Sequence, residues 1–79
     1  MNRFRVVRSL QARPCDQEGA LLYLEVGLVL AVIPSEDLGR LLFRVLDSNP
    51  HLGRLFSSSE SDFTECTEEM PRRHDLAND

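Results

Sequence analysis

The chain has no lysine, so all nine of its basic residues are arginine. That preference says more about coding composition than about mechanism. Thirteen acidic residues outweigh the arginines, and a formal charge of −4 with a pI near 5 speaks against a nucleic-acid binder. Cysteine is scarce. Cys15 and Cys66 are the only two, too few for a disulfide framework. Nothing before them resembles a secretory signal, so a reducing cytoplasm is the expected compartment. A long apolar run is also missing. The most apolar stretch, ALLYLEVGLVLAVI at residues 20–33, is interrupted by Glu25 and falls short of the roughly 20 residues a helix needs to cross hydrocarbon. No membrane span is expected. Paired carboxylates, a nucleophile spaced to meet a base and a phosphate-cradling glycine loop are all lacking, which argues against an enzyme. Cys15, Cys66, His51 and His74 match a zinc site in number but not in paired spacing. Neither a metal nor a cofactor is expected.

What is present centres on residues 20–33. The even positions Leu22, Leu24, Val26, Leu28, Leu30 and Val32 are all large and apolar, while the odd set includes Tyr23, Glu25, Gly27 and Ala31. This is the period of a strand. Val26, Val29, Val32 and Ile33 favour the same reading, because β-branched side chains suit a pleated surface better than a helix. A strand of this length needs a break, and Gly27 marks a bulge or bend. Residues 3–10, RFRVVRSL, alternate in the same way and read as a strand with an arginine-bearing outer face. Their composition also suits a mitochondrial presequence, but their arginines scatter around a helical axis, which favours the strand. Pro14, Asp16 and Gly19 between the two stretches are turn residues, so an antiparallel hairpin is expected.

Pro34 ends the strand, Ser35 is a good N-cap, and Glu36 and Asp37 suit a first helical turn. Leu38, Leu41, Leu42, Val45 and Leu46 recur at three and four, which predicts an amphipathic helix that covers the even face and stops at Asn49 and Pro50. Leu38, Leu41 and Leu42 also spell LxxLL, a docking motif when exposed, but the core reading claims the same leucines. Phe43 borders the stripe as a second contact surface. Residues 50–56 suggest a short second helix. From residue 57 the composition turns to Ser, Thr and acid, with seven of the thirteen acidic residues after Phe56, the signature of a disordered tail. A short strand around Phe63 to Thr67 is the alternative. The expected fold is therefore α+β: a small antiparallel hairpin or sheet on one main helix at 1–56, with an acidic tail at 57–79. So small a core is marginal without a partner.

The segment ALLYLEVGLVLAVIPSEDLGRLLFRVLDSNPHLGRLF, through Pro34, Leu41, Leu42, Leu46 and Asn49, resembles the central part of class I type III secretion chaperones and the related YbjN-like domains. The resemblance implies an α+β homodimer that binds a partly unfolded effector segment on apolar sheet and helix surface. The expected function is accordingly that of a small, non-enzymatic protein-binding protein, most like a minimal secretion chaperone or adaptor. The alternative is a phage or viral accessory protein or antitoxin-like inhibitor whose acidic tail orders on its target. Leu21, Tyr23, Val29, Ile33 and Phe43 are the expected partner-binding residues, because one helical stripe cannot cover both faces of the strand. A contiguous apolar patch left uncovered usually marks an interaction site.

Overall fold

Residues 2–36, 39–47 and 50–71 are described by a computed structural model of the chain. The two alternating stretches pair as expected, and their register explains the architecture. β1 (Arg3–Val6) lies antiparallel to β4 (Val29–Ile33), with Arg5 opposite Val29, and β2 (Leu10–Pro14) lies antiparallel to β3 (Leu22–Leu24), with Leu10 opposite Leu24. From one ladder to the other both chains advance by five residues, so the register is continuous. β1 and β2 are two halves of one bent strand, and β4 and β3 are two halves of its partner. At the bend the Val6 amide donates to the Leu28 carbonyl (2.9 Å) and the Gly27 amide donates to the Val6 carbonyl (2.8 Å). Gly27 sits at φ 101°, a region that side-chain-bearing residues rarely enter. The Val6 amide and carbonyl thus bond to two successive partner residues, which puts the expected break at Gly27 as a bend.

The bend lets one strand serve two sides of the sheet. β5 (Arg40–Val45) pairs with β4, β6 (Leu55–Ser59) pairs with β5, and β6 returns to β2 through Arg13 opposite Ser57. The path β1–β4–β5–β6–β2 therefore comes back to the strand on which it started, and the sheet closes into a small barrel. After β6 the helix α1 (Glu60–Cys66) leads to β7 (Thr67–Glu69), which pairs with β1. The full order is β3-β2-β6-β5-β4-β1-β7, antiparallel throughout. Among the described residues no helix is long and apolar enough to cross a membrane.

This corrects the expected fold of a sheet packed on one main helix. The stretch read as that helix is β5, and the stretch read as a short second helix is a turn at residues 50–53 followed by β6. Gly39, at φ 82° directly before Arg40, turns the backbone out of the right-handed helical region. Beyond it Leu41, Phe43 and Val45 point into the barrel while Arg40, Leu42 and Arg44 point out. Leu42 had supplied the helical spacing, yet it belongs to the outer face, and a short apolar run fits either period. Leu38 and Asn49 lie outside the described residues.

The second correction concerns the expected boundary between residues 56 and 57, which falls inside β6. Ser59 caps α1, its hydroxyl accepting from the Asp62 amide at 3.1 Å, and Glu60 and Asp62 place negative charge in the first turn. The Thr67 hydroxyl donates to the Phe63 carbonyl at 2.7 Å where the helix ends. Phe63, 3% exposed, drops into the open end of the barrel against Phe4 and Phe43, at centroid distances of 5.1 and 5.3 Å. A segment that looks solvated by average composition is thus held by strand pairing at both of its ends and by one aromatic side chain between them. Residues 72–79 of the expected tail lie outside the described residues.

Phe63→Ala should lower the unfolding free energy by about 3–5 kcal/mol, a large share of the stability of so small a domain. Denaturant titration followed by circular dichroism measures it. An unchanged midpoint would show that α1 is not part of the core.

Candidate functional site

Three features at the barrel surface stand apart from the core. The first is the outer edge of β3, which pairs with β2 and has no strand beyond it among the described residues. Leu21 is 48% exposed, Tyr23 64% and Val26, in the turn at the bend, 65%. These residues lie on or beside the half of the central hairpin that neither the meander β4–β5–β6 nor β7 covers among the described residues. Sheet edges are ordinarily blunted by charge or proline. β3 itself, LYL, has neither, and Glu25 stands just after it.

The second is a cleft of about 480 Å³ between α1 and the ends of β1, β4 and β5. Its walls are Phe4, Val32, Pro34, Leu41 and Phe63, and Glu60 is its one ionisable lining residue. The volume is that of a small-molecule site, and Glu60 shares the lining with the polar side chains of Asn2, Thr64 and Thr67.

The third is the outward face of the five central strands. Strand alternation sends Arg3 and Arg5 of β1, Arg13 of β2, and Arg40 and Arg44 of β5 to this face, with no carboxylate at any outward position of β1, β2, β4, β5 or β6. The carboxylates of the described residues lie in turns, on α1 and on β7. One ion pair forms among the described residues, and it lies at the barrel end away from α1. Arg54 donates to both oxygens of Asp16 at 3.3 and 3.0 Å, with its guanidinium 5.2 Å from the centre of the Phe56 ring. Hydrogen bonding from Arg54 holds the Asp16 carboxyl below its usual range.

The five expected partner-binding residues separate into three environments. Leu21 and Tyr23 are exposed at the β3 edge. Val29 and Ile33 are half-buried on the outer face of β4, among the arginines. Phe43 is 0% exposed, stacked on Phe56 at 6.2 Å. It is a core residue of β5, so the surface role expected for it at a helix border is corrected. The arginine face was not among the expected sites. Its signal was present in the alternation of residues 3–5 and 40–44, but joining the two needs the register.

The remaining chemical candidates do not assemble. Among the described residues no three His, Cys, Asp or Glu side chains come together as a metal-binding group. His51 packs edge-on against Phe56 and lies 3.2 Å from Arg54, and His74 lies outside the described residues. Cys15 is exposed and Cys66 half-buried. Burial pushes the Cys66 thiol up, and the carboxylates of Asp62 and Glu65 push it the same way against an opposing pull from Arg8. A raised value keeps it a thiol at neutral pH, the reverse of what a nucleophile needs. Cys66 should therefore alkylate more slowly than a free thiol, measured with iodoacetamide in a Cys15→Ser variant. Reaction faster than a model thiol would contradict this environment.

Comparison of the chain with protein-family models, with curated proteins and with solved structures returned no match.

Proposed function

We propose that the chain is a non-enzymatic binding module that takes an extended segment of a partner protein along the free edge of β3. The observation that carries this reading is the coincidence of an unpaired strand edge with exposed Leu21, Tyr23 and Val26. An added strand gains main-chain hydrogen bonds from the edge, and alternate side chains of the segment gain specificity from the apolar groups beside it. Covering such an edge also removes a hazard, since unpaired apolar strands template aggregation. The partner is a secreted effector if the protein serves as a chaperone or adaptor, and a regulatory target if it serves as an inhibitor. A second copy adding its own β3 gives a homodimer through the same contact. The apolar cleft supports an enzymatic reading less well, because Glu60 is the one ionisable group in its lining.

Site-specific photo-crosslinking tests the proposal. A photoreactive residue at Tyr23 should give a discrete protein adduct in the native host. The same residue at Leu52, which is exposed on the turn between β5 and β6, should not. An adduct with a different polypeptide identifies the partner, and an adduct of doubled mass identifies the homodimer. No adduct at Tyr23 beyond that at Leu52 would overturn the reading.

A further inference from the structure

The outward arginines are an unusual charge arrangement for an acidic protein, and their geometry limits what suits them. Arg3, Ala31 and Arg44 stand side by side across β1, β4 and β5. Ala31 is buried between its taller neighbours, as expected if the aliphatic stems of the arginines lie over it while their charged heads reach solvent. The next register row carries Ile33 and Leu42, and Ser57 follows on β6 opposite Leu42 and Arg13. Arg40 donates to the Ser57 hydroxyl at 3.0 Å. The surface is thus a shallow apolar floor bordered by guanidinium groups.

Two acids stand at its margins, away from Arg3 and Arg44. Glu68 opposes Arg5 across the β1–β7 ladder, and Asp62 shares a small hollow with Arg13 and Arg40. The one ion pair among the described residues is nevertheless Arg54 with Asp16, which does not involve this face. Gathering like charges without partners opposes folding by self-repulsion. Such a cluster is instead what recognises acidic motifs, since the planar guanidinium pairs with carboxylate through two parallel hydrogen bonds.

We infer that this outer face, centred on Arg3, Ala31 and Arg44, docks an extended acidic segment of a partner protein whose carboxylates alternate with apolar side chains. In an extended chain, side chains of one face recur about every 6.6 Å, the spacing of Arg3 and Arg5 along β1. Carboxylates at that interval meet the arginines, while apolar side chains meet Ile33 and Leu42. Single-stranded nucleic acid suits the face less well, because it needs aromatic platforms for base stacking, and no outward position of the five strands is aromatic. The surface is distinct from the β3 edge, and the inference stands without it.

The test is fluorescence anisotropy of a labelled peptide alternating Glu and Leu, with the full-length protein, against a Gln and Leu counterpart and a labelled oligothymidylate. The acidic peptide should bind, should weaken as salt rises, and should bind about tenfold more tightly than the Gln peptide, the effect of losing one or two charge-assisted contacts. The double variant Arg3→Gln with Arg44→Gln should lose about tenfold in affinity for the acidic peptide. Arg8→Gln, off the face at the bend, should leave it unchanged. Circular dichroism checks each fold, and the single variant Arg44→Gln serves if the double one unfolds. Equal binding of the two peptides, binding of neither, or indifference to the arginine variants overturns the inference. Tighter binding of the oligothymidylate assigns the face to nucleic acid and overturns it as well. So does low-salt self-association without peptide that the double variant abolishes, which assigns the face to the acidic α1 and β7 of a second copy.

Discussion

The structure depends on the exchange of hydrogen bonds between Val6 and the pair Gly27 and Leu28. At that point one long hairpin turns a corner, and both of its strands change direction without losing register. Without the corner, β1 and β2 would be a single straight strand, and β6 could not return to it. The chain would then present two long open edges in place of a closed sheet, a form that small β-proteins avoid. The glycine is required because its φ of 101° is unfavourable for any residue with a Cβ.

A closed sheet of such short strands has two open ends, and the sequence caps them by different means. At one end Phe63 is delivered by a helix of about two turns, and joins Phe4 and Phe43 in an aromatic cluster. At the other, Arg54 covers Phe56 and ties the turn after β2 to the turn before β6 through Asp16. The first end is sealed by apolar burial, which contributes most of the energy. The second is sealed by an exposed ion pair, which positions loops but adds little to stability. The cap formed by α1 also leaves the apolar cleft beside Phe4 and Leu41.

The hairpin at residues 3–33 was legible because it combines strict alternation, turn residues between the strands and one glycine where a break was needed. β5 was not legible, because Leu41 and Leu42 face opposite sides of the sheet yet fit one helical stripe in sequence. Only Gly39 and the inward pair Phe43 and Val45 decide between the readings, and their weight appears once β4 and β6 flank them. Residues 57–71 were hidden by averaging: their acids and hydroxyls read as solvated, although Ser59, Phe63 and Thr67 are the cap, the anchor and the stop of α1. At the candidate site, Leu21 and Tyr23 could be placed from alternation alone. The arginine face could not, since it joins residues 3 and 44 through a register that sequence spacing does not contain.

Closure by the bent hairpin also arranges the surface. It pairs the central strands on both sides, leaves the β3 edge uncovered among the described residues, and sets Arg3 and Arg44 of distant segments on either side of Ala31. Site-resolved amide hydrogen exchange tests this most directly. The Val6 and Gly27 amides should exchange only with global unfolding, since they bond across the corner that closes the barrel. Exchange at those two amides as fast as in the flanking turns would mean that the corner is not formed and that the sheet does not close.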